Sequence, residues 1–214
     1  MKHATLILFI ISYLGLFSQK DTTLSVYFGA RWELTKGLYE NHFNKISGNA
    51  IKKLDGFNKK YPENGIGLDF TLPYHPDFKT SKKKLRPYFI FSYSKYFKRG
   101  GTYNDLSNQF EIDAFRTGVI GGTNYSIGLS KLVSFRINLN IGVYNTLFNY
   151  SENSYKTRQN FLQPGFGGGL TMFINLPLFK KPVPLSFNLL KVGTNKVSAN
   201  ISIPVLIIPL YNKN

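Results

Sequence analysis

The chain predicts an all-β fold, a transmembrane up-and-down antiparallel β-barrel of about eight strands. Three observations predict it. The stretch 133–143 reads V-S-F-R-I-N-L-N-I-G-V, with apolar side chains at every odd position and Ser134, Arg136, Asn138, Asn140 and Gly142 between them. A period of 2 held this long is a β-strand with one apolar and one polar face. The polar face carries no lysine, although the 214-residue chain has a formal net charge of +16. Lysine should coat a face that meets bulk water, so the polar face is expected to line an interior and the apolar face to meet lipid. Finally, past the N-terminal segment no apolar run reaches the 18 or so residues of a spanning helix; Val205–Leu210 is short and broken at Pro209. A spanning chain without such helices must span as a barrel.

The first 18 residues read as a secretory signal peptide. Met1, Lys2 and His3 make a short basic start, Ala4–Phe17 is almost wholly apolar, and Ser18-Gln19 supplies the small-residue exit. The alternative, a retained anchor helix, would need about 20 apolar residues. No cysteine lies near the cut, so a lipid-anchored N-terminus is not expected. Residues 19–214 then form the barrel. The chain has no cysteine at all, which removes disulfides, thiolate metal sites and cysteine nucleophiles.

The strands follow in order. In 22–34, Leu24, Val26, Phe28, Ala30 and Trp32 share one face, and Ser25, Tyr27, Gly29, Arg31 and Glu33 the other. Residues 35–63 form a long Lys-rich loop. In the second strand, 65–74, Ile66, Leu68, Phe70 and Leu72 point outward, and Asp69 and Thr71 inward. The turn 75–84 holds Pro76 and four lysines. The third strand, 85–97, is rich in Phe and Tyr. A loop with Gly100-Gly101 fills 98–108. The fourth strand is 110–127, with Val119 and Tyr125 opposite Arg116. The fifth starts at Val133, and 149–160 is a polar loop. In the sixth, 161–176, Phe166, Leu170, Met172 and Ile174 point outward. The turn 179–184 contains Lys180-Lys181. The seventh strand, 185–192, is short. The eighth, 197–211, directs Val197, Ala199, Ile201, Ile203, Val205 and Ile207 outward.

An even strand count, with long loops at one end and short turns at the other, is the asymmetry of an outer-membrane barrel. Aromatics near strand ends suit the two lipid–water interfaces: Trp32, Tyr96 and Tyr150 on the outer side, and Tyr74, Tyr88, Tyr125 and Tyr211 on the inner side. The signal ending in Ser18-Gln19, the Gly-rich alternating strands and the aromatic near the end of the last strand resemble the small outer-membrane β-barrel domain family of Bacteroidota, the PorT-like proteins. The resemblance covers roughly residues 20–211 by strand pattern. It implies an outer-membrane location and no shared catalytic residues. Asn212-Lys213-Asn214 follow Tyr211, where the family's last strand commonly stops at or just after an aromatic.

The sequence offers little chemistry. Gly165-Phe-Gly167-Gly168-Gly169 lacks the following helix and the Gly-Lys-Ser/Thr of a phosphate loop, so tight packing within a small barrel is the expected role. Of three histidines, His3 leaves with the signal. His42 and His75 fall on opposite sides of the membrane and cannot share a metal. No catalytic constellation, cofactor site or metal site is expected. Arg31, Glu33, Asp69, Arg116 and Arg136 are the inward-facing charges. They make either an ion path or a salt-bridge network that plugs the lumen, and the narrow interior of an eight-strand barrel favours the plug. Lys79, Lys82, Lys83, Lys84 and Arg86, with Lys180 and Lys181, form an inner-side basic patch. That patch is either a solvated rim or a dock for an acidic periplasmic or outer-membrane partner protein. The basic excess suits lipid and lipopolysaccharide phosphates, and an exported chain meets little nucleic acid.

The segment 41–58 carries Phe43, Ile46, Ala50, Leu54 and Phe57 at helical spacing, interspersed with lysines. It is expected to form a short amphipathic helix at the outer surface, or a disordered polar loop. Three functions compete. The first is a non-enzymatic structural, accessory or assembly component with a plugged lumen. The second is a narrow conduit for small or apolar solutes. The third is a secreted soluble barrel with its apolar face inward. The strands without lysine, at 65–74, 133–143, 165–176 and 197–211, argue against the third.

Overall fold

A computed structural model of the chain describes residues 23–39, 63–74, 85–103, 108–128, 133–152, 155–174, 183–193 and 197–212. The segment expected to be the signal peptide, the expected helix at 41–58, His42 and His75 lie outside them. So do Lys79, Lys82, Lys83, Lys84, Lys180 and Lys181. Eight antiparallel strands close into one barrel: β1 (Thr23–Thr35), β2 (Glu63–Tyr74), β3 (Leu85–Tyr103), β4 (Asn108–Gly128), β5 (Val133–Glu152), β6 (Tyr155–Ile174), β7 (Val183–Val192) and β8 (Ser198–Asn212). Each strand pairs with its chain neighbours, and β8 returns to β1 through twelve residue pairs from Thr23↔Asn212 to Leu34↔Ala199. Closure leaves no edge along the body of the sheet.

Alternation sets the two faces. Leu68, Val119, Leu139, Ile141, Phe166, Leu189 and Val205 all point out and are exposed. Exposed large apolar side chains are found on every one of the eight strands. A monomer in water seldom exposes apolar patches beyond a few hundred Å²; here they ring the barrel. Most inward positions over the same height are polar or small, and Arg31, Glu33, Asp69, Ser92, Ser94, Arg116, Asn138, Thr171, Asn200 and Ser202 are all buried beside an inward apolar cluster of Ile120, Tyr144, Leu190 and Val192. Inward glycines make room for large neighbours. A Cβ on Gly118 or on Gly165 would collide with the Tyr144 ring, which fills the lumen between β4 and β6. Small and large residues alternate in this way inside narrow barrels.

The structure corrects three details of the sequence reading. First, β3 to β6 are 19–21 residues long, so most of 98–108 and 149–160 is strand rather than loop. These four strands rise past β2, whose ladder with β3 ends at Gly65↔Tyr96. Second, Val183 and Pro184 belong to β7 and not to the preceding turn. Third, Ile207 faces inward. Phe28 pairs with Leu206 but Gly29 pairs with Pro204, so Val205 is an extra residue on β8. One inserted residue flips every later side chain to the opposite face. Leu206 and Ile208 are therefore exposed, while Ile207 packs against Tyr27 and Phe173.

The extended hairpins reverse the pattern with no bulge between β4 and β5. Past Val143 the inward residues become Phe148 and Tyr150, facing Phe110, Ile112 and Ala114 on β4. Leu38 and Tyr39, just after β1, cover them and are fully buried. Phe110 stacks on Tyr150 with ring centroids 6.1 Å apart, and Phe148 meets Phe161 edge-on at 5.6 Å. The outward residues here are Glu111, Asp113, Asn149, Ser151, Lys156 and Arg158, partly or fully exposed. β4 and β5 thus have a polar lumen with an apolar exterior below, and an apolar interior with a polar exterior above.

Candidate functional site

The lumen divides into a charge cluster and a chamber beneath it. The cluster forms because β1, β2, β3 and β4 each bring inward polar residues to one level. Glu33 is its centre. Its Oε1 accepts from Arg116 Nη1 at 2.9 Å and from the Tyr96 hydroxyl at 2.7 Å. Its Oε2 accepts from Ser94 Oγ at 3.2 Å and lies 3.7 Å from Arg31 Nε. Arg31 in turn gives Nη1 to Asp69 Oδ1 and Nη2 to Ser94 Oγ, each at 2.6 Å. Thr35 Oγ1 reaches Glu33 at 3.2 Å and Ser198 at 2.8 Å, which joins β8 to the set. Arg116 Nε donates to Thr146 Oγ1 at 3.3 Å, and its guanidinium lies 5.0 Å from the Tyr96 ring centroid.

Two guanidiniums, Arg31 and Arg116, thus face two carboxylates, Glu33 and Asp69. All four are at most 8% exposed. Matched charges with charge-assisted hydrogen bonds are what makes such burial tolerable. The cluster crosses the lumen from β1 to β4, and the apolar Leu38–Tyr39–Phe148 layer lies above it. Arg116 Nη2 is buried without a partner.

Arg136, the fifth inward charge expected from the sequence, sits apart. Its Nε donates to Ser126 Oγ at 3.3 Å, and its guanidinium lies 4.6 Å from the Phe173 ring centroid. It belongs to the chamber, a cavity of ≈ 90 Å³ bordered by Arg31 and Asp69 and walled by Asn124, Asn138, Asn188 and Asn200. Side-chain bonds cross this lower lumen. Asn138 Nδ2 donates to Thr171 Oγ1 at 2.8 Å, Asn188 Nδ2 to Asn200 Oδ1 at 3.1 Å, and Tyr88 OH to Asn140 Oδ1.

The interface aromatics divide. Trp32 points out and is exposed, and Tyr125 is on the outward face, half-buried. Tyr88, Tyr96 and Tyr150 do not reach the outer face: they are 5%, 0% and 2% exposed and point into the interior. Parity explains this. Tyr88 and Tyr96 share their face of β3 with Arg86, Ser92 and Ser94, and Tyr150 shares the Arg136 face of β5. The side chains of Tyr74 and Tyr211 lie outside the described residues. Arg86 is likewise buried in the barrel rather than part of a surface patch. Sequence reasoning did not assign Ser94, Tyr96, Tyr144 or Thr146 to the lumen, yet the same parity identifies them.

At the distal end the Glu63 carboxylate is buried, and the backbone amides of Leu38 and Tyr39 hydrogen-bond it; burial still raises its carboxyl above the ordinary range. On the exposed face, Lys98 Nζ meets Glu111 Oε2 at 2.6 Å, and this bond raises the lysine. Among the described residues no group of three or more His, Cys, Asp or Glu side chains is placed to hold a metal ion.

No protein family and no curated protein sequence matches the chain. Several solved structures resemble it. Ail, the attachment invasion locus protein of Yersinia pestis, shares 13% identity over 88% of this chain and 98% of its own, with a TM-score of 0.43. The same protein in complex with the heparin analogue sucrose octasulfate gives 14%, 87%, 97% and 0.42. Neisserial surface protein A, NspA, gives 11%, 86%, 96% and 0.41.

Proposed function

We propose that the protein is a non-enzymatic integral outer-membrane β-barrel with a plugged lumen, acting as a structural, accessory or assembly component of the cell envelope. One observation carries this reading: an exposed apolar belt on all eight strands surrounds a lumen whose four central charges are matched with one another. The belt is a surface for lipid, and the matched cluster occupies the space that a conduit would need. The start of β1 and the end of β8 face the periplasm, and the long hairpins of β3–β4 and β5–β6 face outside. Export through a cleaved signal at residues 1–18 brings the chain there.

The basic excess serves contact with phosphate-bearing lipid. Lys95 and Lys191 point outward at the distal rim of the belt, level with Ile66 and Phe166, where lipopolysaccharide phosphates lie. The inner-side basic patch expected from the sequence, Lys79, Lys82, Lys83, Lys84, Lys180 and Lys181, lies outside the described residues, and to it we assign contact with an acidic periplasmic or outer-membrane partner protein. Membership of the Bacteroidota PorT-like barrels rests on strand pattern.

Purified protein in planar bilayers tests the reading. The plugged barrel gives no steady conductance, and a large steady conductance would establish the conduit instead. Single-cysteine labelling tests the orientation of the faces. Water-soluble reagents that modify positions 137 and 139, but spare 138 and 140, would turn the barrel inside out and make it a soluble protein.

A further inference from the structure

β6 outruns one of its two neighbours. It pairs with β5 without a register shift from Ile174 to Tyr155, whereas its ladder with β7 runs only from Ile174 to Gly165. The last bond on that side is from Gly193 N to the Pro164 carbonyl, 2.8 Å. Gly193, at φ +52°, then turns the chain away toward β8. Residues 155–163 are therefore paired on one side only among the described residues. In an antiparallel ladder alternate residues turn both backbone groups to the same side. Pro164 turns its carbonyl to the β7 side. Leu162, Asn160, Arg158 and Lys156 accordingly turn their N–H and C=O groups the same way, into the open edge.

Natural sheets blunt their edges, and the other long edge of the distal sheet is blunted. Past Gly65↔Tyr96, β3 has a bulge between Tyr96 and Arg99, and the Tyr39 hydroxyl donates to the Phe97 carbonyl at 2.9 Å. β6 has no bulge there and no proline between Tyr155 and Gln163. Its four edge-facing residues are all exposed. Lys156 and Arg158 have no ion pair among the described residues, while Lys98 on the same outer surface is taken by Glu111 at 2.6 Å. Two edge cations guard against a second copy, because edge-to-edge pairing would gather four like charges on one short ladder. They do not account for the leucine beside them. Leu162 is 73% exposed, the highest value among the described large apolar side chains, and it stands four residues past Phe166 at the rim of the belt.

We propose that the β6 edge at 156–162 is a docking site for an extended acidic peptide, which adds to the sheet as an antiparallel strand. Main-chain bonds to the four edge residues hold it, and the side chains directly opposite select it. Carboxylates face Lys156 and Arg158, and an apolar side chain covers Leu162. The incoming strand lies in line with β7, beyond the turn at Gly193. The proposal rests on the strand ladders and not on the membrane reading above.

The test uses the full chain in lipid nanodiscs and a fluorescent peptide, Ile-Thr-Ser-Thr-Glu-Thr-Glu. In the antiparallel register its Ile meets Leu162, and its two Glu meet Arg158 and Lys156. Anisotropy is expected to show saturable binding. N-methylation of the Ser and the first Glu, whose N–H groups face β6, should weaken binding about tenfold, while N-methylation of the first two Thr, which face away, should leave it unchanged. Asn160→Pro removes an edge N–H that the barrel's own ladder does not use, a position where a strand tolerates proline, and should weaken binding similarly. Lys156→Glu/Arg158→Glu should reverse the preference toward a peptide with Lys in place of Glu. Folding is checked by heat-modifiable gel mobility, and if Asn160→Pro fails to fold, the two methylated peptides carry the test. Absence of saturable binding, equal binding of the two methylated peptides, or equal binding of a shuffled peptide of the same composition overturns strand addition. A parent that is dimeric by light scattering, and monomeric as Asn160→Pro, gives the edge to a second copy and overturns the peptide. All of these outcomes leave the membrane reading where the bilayer conductance puts it.

Discussion

Removing Glu33 should unbalance the lumen, because it is the acceptor that joins both guanidiniums of the cluster. Glu33 lies 2.9 Å from Arg116 Nη1 and 3.7 Å from Arg31 Nε, and it also accepts from Tyr96 and Ser94. Glu33→Leu leaves two guanidiniums against Asp69 alone. Breaking a buried pair by removing one partner costs about 3–5 kcal/mol. Arg116→Met should cost about the same by stranding Glu33 beside Arg31. The double variant returns the cluster to Arg31 and Asp69, which stay matched at 2.6 Å, and replaces the pair with apolar volume. It should be less damaging than the sum of the singles by about 2–3 kcal/mol, the upper range for residues in one network. The assay is urea unfolding in lipid vesicles. Trp32 is the only tryptophan; it points outward into the belt, next in sequence to Glu33, so its emission reports extraction from lipid. Additivity within about 0.5 kcal/mol would show that the two residues do not act as a pair and would refute the cluster as the lumen's organising element.

Other perturbations probe other levels. Leu139→Arg places a cation on the outward belt at a residue that is 62% exposed. It should cost about 2–4 kcal/mol at mid-membrane in vesicle unfolding, and an unchanged midpoint would count against lipid on that face. Gly169→Ala puts a methyl into the Phe187 carbonyl and the Asn188 side chain. Because one of these is backbone, overpacking should cost about 1–3 kcal/mol, and a variant as stable as the parent would contradict the close β6–β7 contact. Glu63→Gln addresses pH. Burial raises the folded carboxyl above its unfolded value, so the folded state holds the proton more tightly. Glu63's contribution is then complete below the unfolded value, near 4.3, and is lost as pH rises through the folded one. The glutamine variant should gain on the parent at pH 8 relative to pH 4; an equal offset at both would remove Glu63 from the pH dependence.

The barrel body was legible because its pattern is redundant. In 133–143 six apolar residues alternate without exception, and the same parity places Arg31, Glu33, Asp69, Arg116 and Arg136 inside. What parity cannot give is which inward charges meet. That depends on strand stagger, which puts Arg116 of β4 against Glu33 of β1 and leaves Arg136 over Phe173. The aromatic positions misled for a different reason. Tyrosine near a strand end suits a lipid interface, but it equally suits a lumen with a carboxylate to bond, as Tyr96 does with Glu33. Parity, and not residue type, decides between them.

The strand ends read as loops have one physical origin: a strand can change environment without breaking. In β5 the apolar parity passes from odd positions through Val143 to even positions at Phe148 and Tyr150, and the ladder to β4 runs through the change unshifted. Read as a single amphipathic strand, the upper half looks like a failing pattern and hence a loop. Read as two environments in series, it is one continuous strand that passes from the belt proposed to meet lipid into the part that meets water. In water, apolar groups bury themselves inward, and the charged Glu111, Lys156 and Arg158 take the outside. The inserted Val205 in β8 produces the opposite case: the environment stays the same while the parity slips, so Ile207 turns inward although the belt continues with Leu206 and Ile208. The two cases can be told apart in the sequence. A change of solvent exchanges the residue classes on the two faces, apolar for polar and polar for apolar. A bulge places two apolar residues side by side, here Val205 and Leu206, and then resumes the old pattern one position later.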